Sequence, residues 1–192
     1  MALFWWFWFT PDEKGDRGNR ETILAVFAGG FLALVAARIL AVVLPFQIRP
    51  LNDPGFIYRL PPSFPGTLEG WSAFPSDHAS LFTVMALGFW LLSRPLGCLM
   101  FAYAVIIIFI PRIYMGYHTP ADIMGGMAIG VFSLMLVSIP RVKKLLAKPF
   151  INWSEKHPPS FYCLLFVYSF QISILLGTVR YILEGMWRFY KS

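Results

Sequence analysis

The chain has 192 residues, 57% of them hydrophobic and only 14% charged, with a net charge of +6 and a mean hydropathy of +0.62. A water-soluble domain rarely reaches this apolarity, so a polytopic membrane protein is the class to test first. The basic residues sit mainly in short segments between apolar runs, which is what membrane topology asks for and what binding to nucleic acid does not require.

Met1–Phe9 (MALFWWFWF) is strongly aromatic, but nine residues make about 14 Å of helix, half of a bilayer core. It lacks the positive start of a secretory signal, and it reads either as an aromatic anchor at headgroup level or as the end of a longer span. Thr10–Glu21 is a polar loop, and the first full span covers about Thr22–Phe46 with one charge, Arg38, well inside it. An arginine there is costly unless it snorkels, pairs or meets a polar cavity. Arg49–Pro75 is a proline-punctuated connector, too broken to span. A second span, about Ser76–Ser93, and a third, about Leu96–Ile110, form a tight hairpin around Arg94-Pro95.

About Ala121–Ile139 is the fourth span, with Gly126 and Gly130 at a spacing that permits close helix contact. Pro140–Ser160 is a basic connector carrying Arg141, Lys143, Lys144, Lys148 and Lys156, and about Phe161–Leu183 is the fifth span. Cys98 and Cys163 lack metal-ligand spacing and read as buried packing residues. Sorting loop charges by alternation puts the richer basic set on one side, predicted to be cytoplasmic. The Arg49–Pro75 and Arg112–Thr119 segments then share the outer face.

The chemistry-bearing residues gather on that outer face. Pro111-Arg112 to Asp122 contains an arginine, a histidine (His118) and a carboxylate in fixed order. Arginine offers planar, permanently charged donors to phosphate oxygens, and an imidazole becomes a nucleophile when its other nitrogen donates to a carboxylate that fixes the tautomer. Each residue also has a plainer reading. Thr119-Pro-Ala-Asp122 fits a helix start in which Asp122 closes a capping box, Arg112 fits a membrane-surface anchor, and His118 an interfacial polar residue. A second cluster shifts the balance toward chemistry: Pro75-Ser76-Asp77-His78 opens one span and Arg49-Pro50 follows the end of another.

Together these blocks resemble the type 2 phosphatidic acid phosphatase superfamily, whose signature runs Lys-x6-Arg-Pro, Pro-Ser-Gly-His and Ser-Arg-x5-His-x3-Asp. Here they stand as Arg49-Pro50, Pro75-Ser-Asp-His78 and Pro111-Arg112-x5-His118-x3-Asp122. The resemblance implies that His118 attacks phosphorus, that Asp122 holds its ring, and that His78 protonates the leaving oxygen and then activates water. It implies that Arg49, Arg112 and the block around Ser76 and Asp77 bind the phosphoryl group, and that no metal or other cofactor takes part.

Three positions depart from the pattern. Val42 stands where the first block expects lysine, so Arg38, one turn earlier and eleven residues before Arg49, is the candidate substitute, with Arg59 a weaker one. Asp77 replaces glycine, a form similar to that of undecaprenyl diphosphate phosphatases. It suits the first turn of a helix, yet an ionised carboxylate aimed at phosphate would repel it. Pro111 replaces a serine, removing a hydroxyl and a backbone donor.

The expectation is therefore an all-α membrane protein, one transmembrane domain over residues 1–192, with five full spans plus the short N-terminal aromatic segment. The expected activity is metal-independent hydrolysis of a lipid phosphate or diphosphate, with undecaprenyl diphosphate preferred, at the outer face of a bacterial inner membrane. Its partners would be the lipid substrate and the bilayer, with no nucleic acid. A phosphotransferase with the same intermediate, and a non-catalytic lipid-phosphate-binding protein, are the alternatives. Sequence leaves the oligomeric state open.

Overall fold

The computed structural model describes residues 1–11, 18–55 and 70–175. Among them the secondary structure is helical: α1 (Ala2–Phe9), α2 (Gly18–Val43), a 3-10 turn (Pro50–Asn52), α3 (Asp77–Leu92), α4 (Arg94–Tyr103) running through a π-helical stretch (Ala104–Phe109) into α5 (Ile110–Tyr114), α6 (Pro120–Ser138), α7 (Pro140–Lys156) and α8 (Pro158–Ser173). The all-α architecture is as expected. Three helices are long and apolar enough to cross a membrane, Gly18–Val43, Arg94–Tyr114 and Pro120–Ser138.

The count of five full spans is not met by the described helices. Helix α3 has 16 residues, about 24 Å, short of the roughly 20 residues that a hydrocarbon core needs. Helix α8 stops at Ser173. The rest of the predicted fifth span, Arg59 and the C-terminal tail lie outside the described residues. Pro140–Ser160 is corrected from connector to helix: α7 buries Ala147, Ile151 and Ser154 while Arg141, Lys144 and Lys148 stay exposed, an amphipathic pattern at helical period. It packs on α2, where the Lys143 ammonium donates to the Thr22 hydroxyl at 2.8 Å.

Helix α3 is the core of the bundle, wrapped by α2, α4 and α6. Its buried residues, from Ala79 and Ser80 through Val84 to Gly88 and Phe89, face every neighbour in turn, as expected for a helix apolar all round. Large apolar side chains on the outer helices instead point away from the protein: Val42, Ile106, Ile110, Met124, Phe132 and Phe166 are all more than half exposed. An exposed apolar belt of this extent is a lipid-facing surface. Cys98 and Cys163 belong to it, since both are exposed; apolar neighbours in sequence place a residue in a membrane helix without saying which face it takes.

The aromatic start of the chain is sided. Phe4 and Trp8 are buried, Phe4 stacking on Phe89 with ring centroids 4.0 Å apart and Trp8 donating its indole N–H to the Tyr162 hydroxyl at 3.0 Å. Trp6 and Phe9 face outward. Half of the segment thus closes the basic end of the bundle, against α2, α3 and α8, and half is free to meet headgroups.

The contact that positions the chemistry is α3 against α6. A Cβ on Gly126 would meet the Ser76 carbonyl oxygen and lie 2.8 Å from the Ala79 Cβ; one on Gly130 would lie 2.9 Å from the Thr83 Cβ. The absence of side chains lets the two backbones approach and brings the first turns of α3 and α6 side by side. Gly126→Ala should therefore destabilise the protein by about 1–3 kcal/mol and lower turnover with it, because the displaced oxygen belongs to the residue that caps α3. Thermal unfolding in detergent reads the first effect, and an unchanged midpoint would contradict this close packing.

Candidate active site

The spacing Arg112-x5-His118-x3-Asp122 is the geometry of one helix ending and another beginning. Helix α5 closes in a Schellman motif: the Tyr117 N–H donates to the Arg112 carbonyl at 3.0 Å and the Gly116 N–H to the Ile113 carbonyl at 3.0 Å. Gly116 takes φ +70°, the left-handed conformation that this closure requires. Two residues later α6 starts at Thr119 with a full capping box, its hydroxyl accepting from the Asp122 N–H and the Asp122 carboxylate accepting from the Thr119 N–H at 2.7 Å. His118 is held between the two devices, 3% exposed. The cap reading of Asp122 is correct, and the same Oδ2 lies 3.8 Å from His118 Nδ1.

That distance is too long for a hydrogen bond. The group that does bond to Nδ1 is the Ala73 carbonyl, at 2.9 Å. A carbonyl only accepts, so Nδ1 carries the proton and Nε2 keeps its lone pair. Asp122, fully buried with Oδ1 unpartnered among the described residues, adds negative charge beside the ring. Sequence reasoning missed Ala73 because a backbone acceptor leaves no mark in the residue type.

The second block begins at Ser76, the N-cap of α3, whose Oγ accepts from the Ala79 N–H and whose own N–H donates to the Asp122 carbonyl at 3.1 Å. The serine is fully buried, with its oxygen turned to the helix end. His78 lies in the first turn, and its Nδ1 is 3.0 Å from Asp77 Oδ1.

Arg49 ties the three blocks together. It is 7% exposed, and its guanidinium donates to the Tyr117 carbonyl at 3.0 Å and the Ser72 carbonyl at 3.5 Å, while Nε has no partner among the described residues. Backbone bonds reinforce the tie: the Leu51 N–H donates to Gly116 and the Ala73 N–H to Gln47, both at 2.9 Å. Burial pulls the Arg49 guanidinium below its ordinary value, and the negative charge of Asp77 opposes the shift; arginine stays charged through both effects. Arg112 is half-buried on α5, and its guanidinium makes no hydrogen bond or ion pair among the described residues, so its fork is available. Val42 is 84% exposed and faces away. Arg38 lies on Asp77 Oδ2 as an ion pair, with its guanidinium over the Trp71 ring at 4.7 Å from the centroid.

The structure thus brings Arg38, Arg49, Ser76, Asp77, His78, Arg112, His118 and Asp122 to one end of the bundle, at the starts of α3 and α6 and the end of α5. Among the described residues no three His, Cys, Asp or Glu side chains are placed to hold a metal ion.

A family model for the PAP2 superfamily matches residues 22–144, from the first turns of α2 to the start of α7, and covers all three blocks. The chain belongs to the PAP2 superfamily. Membership points to a phosphatase acting on phosphate esters. No curated protein and no solved structure matches the chain. The PAP2 match leaves out α1 and α8, the elements that pack together at the opposite end of the bundle from the histidines.

Proposed function

We propose that the protein is a membrane lipid phosphatase that works through a phosphohistidine on His118, with a lipid diphosphate of the undecaprenyl type as preferred substrate. The observation that carries the reading is the hydrogen bond from His118 Nδ1 to the Ala73 carbonyl, because it leaves the Nε2 lone pair for attack on phosphorus. As the Nε2–P bond forms, the bond from phosphorus to the leaving oxygen breaks, and that oxygen takes a proton from His78. His78 then removes a proton from water, whose oxygen attacks phosphorus; the P–Nε2 bond breaks and its electron pair returns to the ring. Arg112 and the unpartnered Nε of Arg49 supply donors to the phosphoryl oxygens. Asp122 favours the cation that develops on His118.

A lipid substrate fits because the site lies where apolar helices end, below an exposed apolar belt. On this reading α3 and α8 complete a five-span bundle in an inner membrane. The site faces the outside, since Arg141, Lys144 and Lys148 lie at the other end.

The test is phosphate release in detergent with excess chelator from undecaprenyl diphosphate, phosphatidic acid and phosphatidylglycerophosphate. Chelator-resistant release, fastest from the diphosphate, is expected, together with an acid-labile phosphoenzyme. Release that depends on an added lipid alcohol would make the protein a transferase. No release from any of the three would remove the enzymatic reading.

A further inference from the structure

The carboxylate of Asp77 stands among the groups that handle the phosphate, where an unpaired negative charge would oppose binding. Its surroundings change that role. Oδ2 is taken by Arg38, reaching across from α2. Oδ1 accepts from the His78 backbone N–H at 2.9 Å and lies 3.0 Å from His78 Nδ1. A carboxylate accepts only, so this contact puts the proton of neutral His78 on Nδ1 and leaves Nε2 to exchange protons with leaving group and water. Arg38 is in turn stacked on Trp71, which limits its freedom to swing toward the phosphate. The Asp77 side chain is 14% exposed and that of Arg38 31%, so the pair is partly shielded from water.

We infer that Asp77 is a positioning residue for His78, and that Arg38, braced by Trp71, is the clamp that holds Asp77 in place. This rests on the proposed acid and base work of His78 and deepens it. Each histidine of the site then has its Nδ1 anchored on a separate acceptor, Ala73 for the nucleophile and Asp77 for the acid and base. The inference also accounts for two departures in the sequence at once. An aspartate in place of glycine introduces a charge, and an arginine at position 38 rather than a lysine at 42 is placed to neutralise it. A phosphate contact from Arg38 would break this arrangement. Among the described residues the other charged or titratable groups facing His78 are Arg112 on α5 and His118 before α6; neither hydrogen-bonds to its ring.

A mutant cycle separates positioning from a purely structural role, because a residue that acts through His78 has nothing to act on once His78 is gone. The full-length protein in detergent is assayed with the substrate of fastest release among the three above. Asp77→Asn should lower kcat about 10²-fold with KM changed less than about threefold. In a His78→Ala background the same change should cost nothing further. Asp77→Glu should recover part of the loss, and Arg38→Met should lower kcat in the same direction, with no added loss when combined with Asp77→Asn. Asp77→Gly, the residue usual in the family, serves as a second variant if the asparagine protein does not fold. Equal proportional losses with and without His78, a change confined to KM, or an unchanged rate would each overturn the inference. Full activity in His118→Ala would instead sink the phosphohistidine reading while leaving the Asp77–His78 coupling measurable.

Discussion

His118→Ala should abolish phosphate release to within the background of the assay, a loss of about four orders of magnitude or more. Removing a nucleophile leaves binding and electrostatic stabilisation intact but takes away the covalent route. The phosphoenzyme should vanish with the activity. The mutation is also expected to be tolerated by the fold, which separates it from a general collapse of the site. His118 sits between the Schellman closure of α5 and the capping box of α6, and both are built from other groups: backbone atoms of Arg112, Ile113, Gly116 and Tyr117 on one side, Thr119 and Asp122 on the other. What the truncation leaves behind is an Ala73 carbonyl without its donor and a small void, together about 1–3 kcal/mol. A melting temperature that drops modestly with complete loss of turnover is the expected pair of results. Substantial residual release would mean that another group attacks phosphorus.

How much of this was legible in the sequence depends on whether the information lay in side-chain type or in backbone path. The three blocks were legible because their residue types are chemically unusual in an apolar chain and their spacing is that of helix ends. Arg112, His118 and Asp122 occupy the last turn of α5, the residue before the N-cap and the third helical position of α6. The glycine pair at 126 and 130 gave the α3–α6 contact for the same reason, since small residues at this spacing have few other uses in a span. The backbone acceptor on His118 and the carbonyl anchors of Arg49 left no trace, because any residue supplies a carbonyl. The limits of α3 were legible, since Ser76 and Ser93 cap it at the two ends of the expected span; α7 was not, because it is helical through apolar residues that recur on one face despite a mean polarity that reads as a loop. The two cysteines faced the wrong way for a similar reason, since hydropathy has no phase on a helix apolar all round.

Arg49 and Arg112 are both arginines of the signature, yet their substitutions should fail in different ways. The Arg112 side chain makes no hydrogen bond or ion pair among the described residues, so Arg112→Ala removes a free donor fork and little packing. The expected loss is about 10²–10³ in kcat/KM, the cost of one donor to a charge developing in the transition state, with a melting temperature close to wild type. Arg112→Lys should recover only part of it, since a point charge does not reproduce the planar fork. Arg49 is buried and holds the Tyr117 and Ser72 carbonyls, so it positions His118 from one side and Ala73 from the other. Arg49→Ala leaves both carbonyls unpaired and should cost about 3 kcal/mol or more of stability as well as nearly all activity. Arg49→Lys should fare little better, because one ammonium replaces a guanidinium that bridges the segments at Ser72 and Tyr117. Kinetics measured beside thermal unfolding distinguish the two cases. If both alanine variants melt like wild type and lose the same activity, Arg49 acts on the phosphate alone and its carbonyl bonds contribute nothing to holding the site together.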